Sequence, residues 1–224
     1  MAARKSGDVS SFIFLVDPLC GWCYAAMPQL AALHRHIGAR HIDVIPTGLF
    51  AGNGARPMTA QFRDHAWAND QRIADLTGQP FSQAYYDKVL SNFTLPFDSG
   101  PASLIMALAD IVTPGSGFEL LAALQRARFV DGRNLGDPST LTKIAVDAGL
   151  DAAMIAAAFQ DASKMELAVD RITAGRRRLS RHGLEGVPAL LRVDGEESSI
   201  VPNALLVGPA ADLIAHCTRP PSSV

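Results

Sequence analysis

Strand-like sequence is confined to the two ends of this 224-residue chain, with helical patterning between them. Near the N-terminus, residues 12–16 and 42–49 are rich in β-branched and aromatic side chains, as buried strands are. Near the C-terminus, residues 189–193 and 199–201 have the same character, separated by the turn signal Asp194-Gly195. Neither end is long enough to form a domain alone. We therefore predict a single sheet that draws strands from both ends of the chain.

The N-terminal strands enclose one predicted helix. It runs from Cys20 to about Ile37, because Leu30, Leu33 and Ile37 are spaced as one apolar face. Gly38 follows as a stop signal. A strand, a helix and a strand in this order predict a βαβ unit, in which the two strands are parallel and the crossover is right-handed.

The middle of the chain, residues 59–182, contains no predicted strand. Gly, Pro and Asp or Ser signals divide it into helical stretches at 59–77, 81–92, 101–112, 118–131, 139–149 and 151–182. Ser139 is the expected N-cap of the fifth stretch. Pro209 is expected to open a last helix that ends near Cys217. We predict a discontinuous domain of residues 10–56 and 184–218, interrupted by an inserted helical domain of residues 57–183.

Composition argues against several classes of protein. The net charge is -2 with no basic stripe, so nucleic acid is not an expected partner. Three cysteines are too few for a disulfide framework. The first apolar run, residues 12–16, is shorter than the roughly 7–15 apolar residues of a secretory signal or the ~20 of a membrane helix. We therefore expect a cytoplasmic protein without a membrane partner.

The sequence Cys20-Gly21-Trp22-Cys23 directly follows a predicted strand and opens a predicted helix. Free backbone N–H groups and the helix dipole favour negative charge at such a position, and hence a thiolate. Cys20, at the outer edge, is the expected nucleophile, and Cys23, one turn further in, is expected to resolve the mixed disulfide. Trp22 is expected to be partly exposed and to pack against substrate.

Two other interpretations of the cysteine pair are open to the sequence. A structural zinc site needs a second pair of ligands, and Cys217 and the scattered histidines have no matching spacing. Two inert buried cysteines would leave their place at a helix start unexplained. No metal and no other cofactor is therefore expected, and Cys217 is expected to be a small core residue.

The arrangement resembles the thioredoxin superfamily: a strand, a helix headed by CxxC, and a distant X-Pro, here Val187-Pro188, that leads into a strand. The helical insertion resembles the DsbA branch. Within that branch, residues 17–24 (DPLCGWCY) are most similar to the cytoplasmic FrnE-like proteins, described as predicted protein-disulfide isomerases. The expected fold is thus α/β and thioredoxin-like, βαβ…ββα, interrupted by an all-helical DsbA-like insertion.

This resemblance implies a function and a binding site. The chain would be a thiol–disulfide oxidoreductase or isomerase acting through Cys20 and Cys23. Its substrate would be a disulfide-containing protein or a low-molecular-weight thiol, and its redox partner glutathione or the thioredoxin system. Val187-Pro188 would be a cis peptide against the cysteines, and with Gly21 and Trp22 would contact substrate. Pro28 would correspond to the helix-kinking proline of thioredoxins.

Two features complicate this resemblance. The superfamily's buried acid, six residues before the first cysteine, is Phe14 here, and the nearest acid, Asp17, is either a turn residue or a proton relay. The alternative function is a glutathione-dependent isomerase or transferase, because the DsbA-like branch also contains kappa-class glutathione transferases and 2-hydroxychromene-2-carboxylate isomerases. Those proteins carry a serine at the position of Cys20 and lack the CxxC. Because Gly21-Trp22 lacks the histidine of the oxidant DsbA, we expect a moderately reducing couple.

Overall fold

The computed structural model describes residues 10–38 and 41–219. Six strands lie in this part of the chain: β1 (Ser11–Val16), β2 (Ile42–Pro46), β3 (Arg56–Pro57), β4 (Pro96–Phe97), β5 (Ala189–Asp194) and β6 (Glu197–Val201). The main sheet has the order β2-β1-β5-β6. In it β1 pairs in parallel with β2 and antiparallel with β5, and β5 pairs antiparallel with β6. Both ends of the chain therefore build one sheet, as predicted.

Helices account for most of the remaining described residues: α1 (Gly21–Ile37), α2 (Ala60–Thr77), α3 (Gln83–Tyr85), α4 (Gly100–Val112), α5 (Gly117–Phe129), α6 (Pro138–Asp147), α7 (Ala152–Gln160), α8 (Ala162–Arg181) and α9 (Ala210–Thr218). A π turn at Tyr86–Leu90 continues α3, and short 3-10 turns lie at Gly52–Gly54 and Asn203–Leu206.

The alternation of side chains along β1 places a core on each face of the main sheet. Phe12 and Phe14 point into the larger core, which also contains the apolar face of α1. Leu15 points the other way, into a smaller cluster with Leu179 of α8. Gly175 lets α8 approach closely, since a Cβ there would lie 3.1 Å from the carbonyl oxygen of Pro46. The sheet is therefore covered by α1 on one face and by α8 on the other.

Several boundaries differ from the sequence predictions. β2 ends at Pro46 and not near residue 49, because the chain turns between Gly48 and Ala51, where the backbone N–H of Ala51 donates to the carbonyl of Gly48. The prediction that residues 59–182 contain no strand was wrong, since β4 pairs with β3 in a two-stranded ribbon. Two residues per strand are too few to produce a recognisable alternation of side chains.

Capping residues explain two further corrections. The N-cap of α6 is Asp137 and not Ser139, because the Asp137 carboxylate accepts the backbone N–H of Thr140. The predicted single helix over residues 151–182 is two helices, α7 and α8. The chain breaks at Asp161, whose carboxylate accepts the backbone N–H groups of Ser163 and Lys164 and so caps α8.

The helical block spans residues 60–181 between the two parts of the main sheet. Its ribbon pairs residues 56–57 with 96–97, and so crosses the predicted domain boundary at residue 57. The division into a domain of residues 10–56 and 184–218 and an insertion of residues 57–183 stays a prediction. None of the helices in the described ranges is long and apolar enough to span a membrane.

Candidate active site

Cys20 is the N-cap residue of α1. Its backbone is extended, and its N–H donates to the carbonyl oxygen of Asp17 at 3.1 Å, which closes the turn between β1 and α1. The backbone N–H of Cys23 donates to the sulfur of Cys20 at 3.4 Å. The sulfur thus occupies the position of a capping oxygen, where free N–H groups and the helix dipole stabilise negative charge.

The two active-site thiols differ in exposure. Neither forms a disulfide, and Cys20 is 7% exposed whereas Cys23 is fully buried. Burial raises the pKa of the Cys23 thiol well above its ordinary value, and the adjacent Cys20 raises it further. Cys20 also lines a cavity of about 280 Å³. A disulfide that enters this cavity therefore meets Cys20 first.

The loop before β5 lies against Cys20. The Val187-Pro188 peptide is cis, as the resemblance implied. The Cys20 thiol donates to the carbonyl oxygen of Val187 at 3.6 Å. Trp22 is half-buried, as expected, and with Val187 and Pro188 it lines a second recess, whose remaining walls are Asn203, Ala204 and Val207. The structure thus brings together all six site residues that the sequence singled out.

Helix α2 forms one wall of the cavity at Cys20. The end of α2 is held by the side-chain amide of Gln79, which donates to the carbonyl oxygen of Tyr24 in α1 at 2.8 Å. The cavity is lined by Leu19, Cys20, Gly21, Trp22, Phe50, Arg56, Phe62, His65, Ala66, Asn69, Asp70, Tyr85 and Phe97. The helical insertion therefore supplies much of the surface that a substrate would meet.

Asp17 is a turn residue, and it is also completely buried. Its carboxylate accepts the backbone N–H of Leu19 at 2.9 Å, which confirms the predicted turn. It also accepts the N–H of Phe50 at 3.2 Å and the hydroxyl of Ser99 at 2.6 Å. Burial raises its pKa, and these hydrogen bonds oppose the rise. Asp17 thus ties the loop after β2 and the start of α4 to the active-site turn.

A second buried acid, Asp70 of α2, was not found from the sequence. It is 5% exposed, and the hydroxyl of Tyr85 donates to its Oδ2 at 3.0 Å. Behind Tyr85 lies the buried guanidinium of Arg128, 5.3 Å from the centre of the Tyr85 ring. Asp70 lies inside an unremarkable stretch of predicted helix, so only the packing of α2 on α1 reveals it.

The remaining predicted residues lie within the core or at its edge. Pro28 is inside α1, and Cys217 is buried, as predicted. Burial raises the pKa of the Cys217 thiol to about 11. Among the described residues, no three His, Cys, Asp or Glu side chains are grouped as metal ligands.

Solved structures similar to this chain share its architecture over nearly the whole length. The cytosolic disulfide reductase DsbM from Pseudomonas aeruginosa is 29% identical with a TM-score of 0.77, covering 92% of this chain and 96% of that one. The same protein with GSH is 30% identical with a TM-score of 0.76, covering 92% and 96%. A candidate protein disulfide isomerase from Nitrosomonas europaea is 22% identical, with a TM-score of 0.75 and coverage of 93% and 98%, and this likeness shows the fold alone.

No family model matches the chain, and no curated protein matches it. The similarity is therefore carried by the structural comparison.

Proposed function

Because the chain belongs to the DsbA-like thiol–disulfide oxidoreductases of the thioredoxin superfamily, we propose that it reduces disulfides through Cys20. Cys23 is the resolving thiol and a glutathione-type thiol is the electron donor. The observation that carries this proposal is the position of the Cys20 sulfur. It caps α1, borders the cavity and lies beside the Val187 carbonyl.

The proposed reaction has two exchanges. The Cys20 thiolate attacks one sulfur of the substrate disulfide, the substrate S–S bond breaks, and one half leaves as a thiolate that takes up a proton. Cys23 then loses its proton and attacks the Cys20 sulfur of the mixed disulfide, which releases the other half as a thiolate and leaves a Cys20–Cys23 disulfide. Two molecules of a small thiol reduce this disulfide and are themselves joined as a disulfide.

The substrate would lie between the two recesses that meet at Trp22. Gly21 and Trp22 border the cavity under α2, and Trp22, Val187 and Pro188 border the recess on the other side. The guanidinium of Arg72 lies 5.4 Å from the Trp22 ring and restrains it between them. We propose that the substrate contacts Gly21, Trp22, Val187 and Pro188.

Two observations support glutathione as the donor. A relative that is 30% identical over most of both chains was solved with GSH. The cavity at Cys20 also has Arg56 among its lining residues, so a cationic group is available to a carboxylate of such a tripeptide. A disulfide-containing protein remains the second class of substrate.

The proposed direction is reduction in the cytoplasm. The dipeptide Gly21-Trp22 carries no cation that would stabilise a thiolate at Cys20 and so make the disulfide easier to reduce. The relative with 29–30% identity is named a cytosolic disulfide reductase, which supports the same direction. Equilibration with a glutathione redox buffer tests it. We expect a potential well below the roughly -120 mV of DsbA, and a value near that figure would contradict a reductase.

Activity is tested with glutathione and a small disulfide, with oxidised glutathione measured by a coupled reductase. Wild-type protein should catalyse the reduction, and Cys20→Ser should abolish it. Cys217→Ser is the matched control and should retain the wild-type rate. An undiminished rate in Cys20→Ser would contradict the proposal. A glutathione transferase is not proposed, because no observed contact favours it and a thiol occupies the place of its serine.

A further inference from the structure

The carboxyl group of Asp70 lies directly on the first turn of α1. A Cβ atom at Gly21 would be only 2.5 Å from Asp70 Oδ1, so the missing side chain of Gly21 is what admits the carboxyl. Asp70, Gly21 and Cys20 line the same cavity. A titratable oxygen thus faces the space in which a thiol must approach the Cys20 sulfur.

The surroundings of Asp70 do not hold its carboxyl group in a single protonation state. In the described part of the chain, no cation forms an ion pair with it, and its strongest contact is the neutral hydroxyl of Tyr85 in α3. Arg128 of α5 attracts it from behind Tyr85. The other charged or titratable groups that face it across the cavity are Arg56, His65 and Cys20. Both the acid and the carboxylate are therefore accessible states.

Burial raises the pKa of Asp70 to about 7, and hydrogen bonds from Tyr85 and Asn69 and the charge of Arg128 oppose the rise. A group with such a pKa is suited to proton transfer at neutral pH. The position of the Asp70 carboxyl in the cavity and its raised pKa therefore both suit it to exchange a proton with a thiol there.

We infer that Asp70 is the acid–base group of the cavity, and that it takes the S–H proton of the thiol that attacks the Cys20–Cys23 disulfide. This inference rests on the proposed function. In the step, the S–H bond breaks and its proton moves to the carboxylate, while the thiol sulfur bonds to Cys20. The Cys20–Cys23 bond breaks, and its electron pair remains on Cys23 as a thiolate. In the reverse step, the acid returns the proton to the leaving thiolate.

The rate acceleration that Asp70 can provide has an upper limit. A free thiol with a pKa of about 8.5 is roughly 3% ionised at pH 7, so a base that lets the whole thiol pool react accelerates attack by at most about 30-fold. This limit separates the effect of Asp70 from complete loss of activity, which the proposed function assigns to Cys20→Ser.

The test follows the reduction of oxidised protein by glutathione in stopped flow from pH 5.5 to 8.5. In wild type the rate should rise about tenfold per pH unit up to about pH 7 and then level off. Asp70→Asn preserves an acceptor for Tyr85 but cannot take a proton. Its rate should be up to about 15-fold lower at pH 7, where about half of Asp70 is ionised, and should rise, without levelling, towards the pKa of the thiol.

Tyr85→Phe is the second variant and keeps the inference testable if Asp70→Asn does not fold. It removes a hydrogen bond that lowers the pKa of Asp70, so the levelling of the rate should move to higher pH. Repeating the series with 2-mercaptoethanol, which is uncharged, should give the same changes, because the base acts on the S–H group.

Three outcomes separate the alternatives. If Asp70→Asn reacts as fast as wild type, or faster, the inference is overturned while the proposed function stands. A Tyr85→Phe profile identical to that of wild type also overturns it. If wild-type protein does not react with glutathione at all, the proposed function itself fails.

Discussion

The Cys20 thiol donates to the carbonyl oxygen of Val187 across 3.6 Å, although 167 positions separate these residues in the chain. The pairing of β1 with β5 produces this contact. Because the two strands are antiparallel, with Leu15 opposite Ala189, the end of β1 lies beside the start of β5. The turn that carries Cys20 and the loop that carries Val187 therefore meet at one edge of the sheet.

The three cysteines should react with iodoacetamide in a fixed order. Cys20 is 7% exposed, whereas Cys217 and Cys23 are 2% and 0% exposed. Burial also raises the pKa of Cys217 to about 11, which leaves on the order of 10²-fold less thiolate than in an ordinary thiol. Mass spectrometry of native protein should show Cys20 labelled first, and the other two only after unfolding. Faster labelling of Cys217 than of Cys20 would contradict the described burial.

Gly21→Ala should destabilise the protein through Asp70. The new Cβ would meet Asp70 Oδ1 at 2.5 Å and displace the carboxyl from the Tyr85 hydroxyl. We expect a loss of about 1–3 kcal/mol in the free energy of unfolding, measured with urea.

The matched control is the same change in an Asp70→Ala background. There the contact with Asp70 is absent, and only the end of the Ile73 side chain, 3.1 Å from the new Cβ, has to shift, so the loss should be clearly smaller than in the wild-type background. Equal losses in both backgrounds would show that the destabilisation does not arise from Asp70.

Asp70 should also make stability depend on pH. Its pKa is raised from 3.8 to about 7 in the folded protein, so the folded state holds this proton more tightly than the unfolded chain. The stabilisation is complete below pH 3.8 and is lost as the pH rises to 7. Between pH 5 and 7, wild type should lose about 2 kcal/mol of unfolding free energy from this group.

Asp70→Asn should remove that part of the pH slope. The comparison variant, Asp75→Asn, removes an exposed carboxyl from the same helix and should keep the wild-type slope. The raised pKa of Asp17 contributes in the same direction in all three proteins and therefore cancels in the comparison. An Asp70→Asn slope equal to that of wild type would contradict the raised pKa of Asp70.

Local sequence patterns were sufficient to predict the active-site turn, but not the helix boundaries and contacts around it. β1 and the start of α1 follow from a run of strand residues and a change to helical spacing, and the CxxC lies at their junction. The break at Asp161 was missed because apolar residues on both sides continue the helical period, and only the side-chain cap ends it. Helix boundaries of this kind depend on a single hydrogen-bonding side chain.

Asp70 was missed for a different reason. The spacing of apolar residues in α2 predicts a helix, but it does not say which neighbour the helix packs against. Only in the folded protein does the carboxyl lie on Gly21, while Tyr85 and Arg128 approach it from two later helices. Contacts between distant segments, and the pKa shifts that they cause, are not encoded in any local pattern.

The most direct measurement of the central claim is a disulfide trap. Cys23→Ser and Cys20→Ser proteins are incubated with a disulfide substrate, and adducts are mapped by non-reducing mass spectrometry. Because Cys20 lines the cavity and Cys23 is buried behind it, a stable mixed disulfide should accumulate on Cys20 in the Cys23→Ser protein, and none should form in Cys20→Ser. Trapping of substrate on Cys23 in the Cys20→Ser protein, with none on Cys20 in the Cys23→Ser protein, would contradict the assignment of the nucleophile.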